Sequence, residues 1–163
     1  MVEIRAVVLG VGNILLKDEG IGVFLINKLK EQQEKGEIRD SIEILDGGTS
    51  SFDILAGLGI VDKLVIVDAI KGKGKPGSVY RMEYGDLIKI AENNESKLSV
   101  HDMSIFDSIE GAKKLGNVFK EIVFIGIEPK DINLGDKISK ALENNIDNII
   151  KIIKKEVVLG GAK

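Results

Sequence analysis

The stretch VVLGVGNILLKDEGIGVFL, residues 7–25, decides the fold, because in it a buried strand turns through glycine into an amphipathic helix. Short, continuous and β-branched, AVVLGV (6–11) has the pattern of a strand covered on both faces. Beyond Gly20, the residues Ile21, Phe24, Leu25 and Leu29 recur at helical spacing, and Gly36 supplies a stop, which predicts a helix over 20–35. The connection begins like a phosphate-cradling turn, with Gly10 and Gly12. Leu15 stands where the third glycine of G-x-G-x-x-G belongs, and Asp18 and Glu19 follow it. A turn that ends in two carboxylates is poorly suited to phosphate.

Outward from this unit the same alternation continues. IEILDGG (42–48) and KLVIVDAI (63–70) read as strands, and SFDILAGL (51–58) between them as a short helix. GSVYRMEY (77–84) alternates after a glycine-rich connection, the pattern of an edge strand. DLIKIAE (86–92) reads as a short helix, and SVHDMS (99–104) as a loop leading into a helix near 104–115. EIVFIGIEP (121–129) is a further buried strand, closed by Pro129. From Asp136, the residues Ile138, Leu142, Ile146, Ile149, Ile150, Ile153 and Val157 share one face of a long terminal helix, and 160–163 should fray. Strands alternating with helices imply βαβ units. The expected fold is a three-layer α/β sandwich: a mostly parallel twisted sheet, helices on both faces, and one edge strand antiparallel. No linker or internal repeat interrupts it, so one domain over 1–163 is expected.

Composition excludes several functions. Of 163 residues, 44% are hydrophobic, and no apolar run reaches the ~18 residues of a membrane span. The strand-like start leaves no room for a signal peptide, so a cytoplasmic protein is expected, with no membrane partner. Net charge is −3 with acids and bases interspersed, which argues against a nucleic-acid partner. The basic stretch KGKGKPG (71–77) reads as a solvated loop and lacks the lysine that a P-loop places after its last glycine. A monomer is expected. Cysteine is absent, which removes disulfides, thiolate metal sites and cysteine nucleophiles. Histidine occurs once, at His101, so a zinc protease with two histidines on one helix is impossible. No G-x-S-x-G elbow is present.

In parallel sheets the ligand site lies at the carboxyl ends of the strands. The residues expected there are Gly12, Asn13, Asp18 and Glu19, then Asp46 to Thr49, Asp68, Glu128 and, from a later loop, His101. Asp18 reads as the cap of the following helix, a role asparagine would also fill, so Asp18→Asn should be mild. Glu19 reads equally as a helix-dipole partner or a ligand, and Asp46 as a turn residue or a functional one. Asp68 after LVIV is costly to bury without a partner, which favours function. Glu128 before Pro129 reads as a strand terminator. An imidazole with carboxylates suits nickel, zinc or iron, and holds it weakly unless further ligands are supplied.

The segments GVGNILLKDEGIGV, EILDGGTSSFDIL, VIVDAI, SVHDMS and IGIEP occur in the order seen in the [NiFe]-hydrogenase maturation endopeptidases. The chain resembles that family from about residue 7 to the final helix, and in particular the branch serving coenzyme F420-reducing hydrogenases. The resemblance implies an aspartic-type endopeptidase that removes a C-terminal extension from the hydrogenase large-subunit precursor, its partner, once nickel has been inserted. It implies that Glu19, Asp68 and His101 bind that metal. Asp46 is implicated in substrate recognition or catalysis, so the implied catalytic set is Asp46, Glu19 and Asp68. No cofactor site of the enzyme's own is implied; nickel comes with the substrate, and at rest the site is expected empty or filled by a surrogate divalent ion. Two rivals stay open: a non-catalytic metallocentre-binding chaperone, and a nucleotide-binding module built on Gly10 and Gly12.

Overall fold

A computed structural model describes residues 4–92 and 100–159. Five strands form one sheet: β1 (Ala6–Val11), β2 (Ile42–Gly48), β3 (Ile60–Ala69), β4 (Val79–Glu83) and β5 (Val118–Ile127). Their order is β2-β1-β3-β5-β4, with every neighbouring pair parallel except β4 and β5. The expected sandwich, including the antiparallel edge strand, is the observed one. Helices α1 (Ile21–Glu34), α5 (Lys140–Glu143) and α6 (Ile146–Leu159) bury Leu25, Leu142 and Ile153 with Val8, Val65 and Ile125. On the opposite face α2 (Phe52–Ala56), α3 (Tyr84–Glu92) and α4 (Val100–Lys114) bury Leu55, Leu87 and Ile109 with Leu9, Ile66 and Phe124. The alternation of β1 and β3 side chains between the two faces follows from the two-residue period of a strand. No helix among the described residues is long and apolar enough to cross a membrane.

Two expectations about helices are corrected. The segment read as a loop at 99–104 is helical from Val100, which moves His101 into the first turn of α4; residue 99 lies outside the described residues. The long terminal helix is two helices. Ser139 is held back by Asp18, through bonds to its backbone amide and hydroxyl. Asn145 turns its side-chain amide to the Gly77 carbonyl, 2.7 Å away, at the break between α5 and α6. The isoleucine period runs across that break because both pieces face the same core. The frayed tail expected at 160–163 lies outside the described residues.

Glycine sets how closely α1 meets the sheet. A Cβ on Gly22 would lie 2.1 Å from the Val11 carbonyl oxygen and 2.3 Å from that of Val67. One on Gly10 would lie 2.4 Å from the Gly22 carbonyl oxygen. The close helix–strand packing for which Leu15 leaves no glycine is supplied instead by Gly22, seven residues later, in the first turn of α1.

Candidate functional site

The chain leaves β1 for β2 on one side and reaches β3 on the other, so the sheet's switch point lies at the carboxyl ends of β1 and β3. Register brings the predicted acids to this edge. Gly10 pairs with Asp46 on β2 and with Val67 on β3, the residue before Asp68. Between β1 and α1 the chain makes a 3-10 turn, Lys17–Gly20, which packs against β3 and carries Glu19. The Glu19 carbonyl accepts from the Asn13 amide at 3.2 Å, closing the turn over Gly12. Gly12 has φ +150°, and a Cβ there would meet the Glu19 carbonyl oxygen at 2.0 Å. The glycines of the apparent nucleotide motif thus admit a carboxylate-bearing turn.

The acids differ in their surroundings. Asp68 is 3% exposed; its Oδ1 accepts from the Ala69 amide at 2.7 Å, and its Oδ2 is shielded from solvent. Glu19 is half-buried, with Oε2 likewise shielded. Asp46 is exposed and accepts from the Gly48 amide at 2.9 Å, the turn contact that its sequence suggests. The side chain of His101 lies outside the described residues. Its helix α4 precedes a strand parallel to β3, so its first turn belongs on the carboxyl edge of the sheet. No group of three or more metal-ligating side chains is present among the described residues.

Asp18 does not cap α1: neither the 3-10 turn nor the helix has a side-chain cap. It is fully buried, and its carboxylate accepts from the amides of Lys130, Asp131 and Ser139 and from the Ser139 hydroxyl, at 2.6–3.0 Å. The backbone adds to this clasp. The Asp18 amide donates to the Asp131 carbonyl at 3.0 Å, and the Lys17 amide to the Gly135 carbonyl at 2.9 Å. Asp18 therefore fixes the turn bearing Glu19 to the loop that follows β5. Its partners lie far along the chain, so its local spacing signals only a cap.

Glu128 exceeds the role of strand terminator. Its Oε2 accepts from the Gly72 amide at 2.7 Å and the Tyr80 hydroxyl at 2.6 Å, which folds the 71–77 loop onto the edge strand. Burial, followed by that bond to Glu128, pushes the Tyr80 hydroxyl above its ordinary range.

Residues 23–156 match the family of hydrogenase maturation proteases. The chain is 30% identical to the hydrogenase 2 maturation protease of Escherichia coli, over 94% of this chain and 93% of that protein. Among solved structures it is similar to the hydrogenase maturating endopeptidase HybD from E. coli, with TM-score 0.81 and 28% identity, over 97% of this chain and 94% of the other. It is also similar to the [NiFe] hydrogenase maturation protease HybD from Thermococcus kodakarensis, with TM-score 0.74 and 28% identity over 93% and 98%.

Proposed function

The chain belongs to the hydrogenase maturation protease family, and we propose that it cuts the C-terminal extension from a [NiFe]-hydrogenase large-subunit precursor after nickel insertion. The observation that carries this reading is the shared edge: Glu19 and Asp68 stand on adjacent elements at the switch point, each with one carboxylate oxygen shielded from water. Two such carboxylates, with His101 at the start of α4, form a hard, mixed donor set. Nickel in the precursor is substrate, already held by the precursor's own thiolates, and three oxygen and nitrogen donors complete its sphere without removing it. A chain without cysteine is suited to inspect that metal rather than to take it.

In this reading Glu19, Asp68 and His101 bind the metal, and exposed Asp46 meets the substrate chain or acts on the water. Nickel serves as a mark of completed insertion and polarises the scissile carbonyl or the attacking water. The substrate branch proposed is the coenzyme F420-reducing one, on the resemblance of the sequence alone.

The test is mass spectrometry of purified precursor before and after incubation, with nickel and without. Loss of a C-terminal peptide from nickel-loaded precursor only is the expected result. Binding without cleavage would replace the protease with a metallocentre chaperone, and equal cleavage of both forms would remove nickel from the mechanism. Parallel incubation with precursors of F420-reducing and other hydrogenases tests the branch.

A further inference from the structure

Ile14, Leu15 and Leu134 are 58%, 61% and 82% exposed. Single exposed apolar residues are ordinary, but a cluster on a fixed support is not. These come from loops after different strands, and the backbone ties them together: the Gly135 amide donates to the Leu15 carbonyl at 2.8 Å, and Leu16 and Gly135 form a parallel bridge. The support is the buried Asp18 clasp, reinforced by Lys17 Nζ at 2.5 Å from Asp131. Lys17 takes φ +45°, a left-handed conformation that a side-chain-bearing residue keeps only where its surroundings enforce it. A fully buried carboxylate and a strained backbone thus hold three leucine-like side chains out into water.

We propose that Ile14, Leu15 and Leu134 form a docking surface for an apolar segment of the hydrogenase large-subunit precursor, next to the site that reads its metal. This rests on the function proposed above. The occupant follows from position: Leu15 and Glu19 lie in the same connection between β1 and α1, in which the Glu19 amide donates to the carbonyl of Leu16, the residue after Leu15, at 3.0 Å. A folded protein that brings an ion to Glu19 must cover the adjoining residues, since a specific protein interface spans far more area than one metal site. An apolar centre with a polar rim, here Lys17, Lys130 and Asp131, is the usual arrangement of such a contact. The apolar group at the other end of the sheet, Ile60, Leu115 and Val118, is equally exposed but remote from every acid of the site, and serves as the control.

The experiment measures processing of nickel-loaded precursor over a range of concentrations, for the unsubstituted chain, the double variant Leu15→Asp with Leu134→Asp, and Leu115→Asp. Circular dichroism monitors folding and sedimentation the state of assembly. The double variant should raise KM at least tenfold and keep kcat within about twofold, while Leu115→Asp changes neither. An unchanged KM in the double variant overturns the docking surface, as does an equal rise in Leu115→Asp. Loss of a dimer in the double variant with KM unchanged would assign the patch to a second copy of this chain. If misfolding of the double variant obscures KM, Leu134→Ser and Leu15→Ser must each raise it, or the proposal falls. Failure of the unsubstituted chain to cut at any concentration overturns the proposed function itself, and the docking surface with it.

Discussion

The two ends of the sheet are built from similar residue types and put to opposite uses. At the amino end charges are matched. Arg5 meets Glu43 at 2.6 Å, Lys120 meets Asp62 at 2.5 Å, and Lys63 lies 3.1 Å from both Glu121 and Glu156. Glu156 also takes Arg81 at 2.5 Å. At the carboxyl end the acids are Glu19, half-buried on the turn that packs against β3, and Asp68, 3% exposed at the end of β3, each with one carboxylate oxygen shielded from solvent. Carboxylates withdrawn from water are costly to keep, and that cost is tolerated where a ligand is to be met. A difference between the ends follows: changes at the carboxyl end should alter processing, and changes at the amino end should alter stability alone.

The largest expected effect tests the carboxyl end directly. Glu19→Gln keeps size and hydrogen-bonding capacity but removes the charge, and should lower processing of nickel-loaded precursor at least 100-fold. Asp68→Asn should do the same. Thermal melts should show both variants folded, with Tm within about 4 °C of the parent, on the order of 1 kcal/mol in a chain of this size. A Glu19→Gln variant that retains full processing would remove the functional half of the comparison.

Asp18 breaks the division, because the clasp serves both stability and geometry. Asp18→Ala would strand three backbone amides and a hydroxyl in a buried site, at about 3 kcal/mol or more. That corresponds to a fall in Tm of roughly 10 °C in a chain of this size. Asp18→Asn, expected to be mild for a helix cap, should cost about 2 kcal/mol, because one acceptor oxygen becomes an NH2 facing donors. Differential scanning calorimetry measures both losses. A mild Asp18→Asn would mean that the clasp is not what holds the two loops together.

The same residue marks the limit of what the sequence conveys. Strands β1, β2 and β3 and helix α1 are legible because burial imposes its period on neighbouring residues. Asp68 is legible because an acid closing LVIV is conspicuous. Asp18 misleads because D-E-G before an apolar helix has the form of a cap, while its partners arrive with Lys130, Asp131 and Ser139. The break before α6 is hidden in the same way, being set by Gly77 through Asn145. The polar residues of SVHDMS carry no sign that a helix starts at Val100. Local patterns report burial, and contacts between distant loops leave little trace in them.

A smaller effect concerns how α1 delivers the turn. Gly22→Ala would set a methyl group 2.1 Å and 2.3 Å from two carbonyl oxygens, and backbone cannot rotate away as a side chain can. Moving α1 off the sheet should cost about 3 kcal/mol, the upper end for overpacking. It should also shift the Glu19 turn that precedes the helix, so processing falls alongside Tm. Urea denaturation with parallel assays checks this, and loss of stability without loss of processing would uncouple α1 from the site.

The smallest effect belongs to the amino end and depends on acidity. Burial alone would raise the Glu156 carboxyl, but hydrogen bonds from Arg81 and Lys63 outweigh it and hold the group below its ordinary range. A carboxylate depressed in the folded state binds fewer protons there than in the unfolded chain. Its stabilisation is therefore complete above the unfolded value, about 4.3, and is lost as pH falls through the lower folded value. Thermal melts between pH 7 and pH 3 should show the parent losing Tm below about pH 4.5 more steeply than Glu156→Gln. At pH 7 the variant should be the less stable of the two, because Lys63 is then left with exposed Glu121 as its only described anion. Processing at pH 7 should stay within about twofold of the parent, since Glu156 lies at the far end of α6 from the acids of the site. A Glu156→Gln variant that lost processing while keeping its Tm would carry function to the amino end of the sheet, and the contrast between the two ends would be wrong.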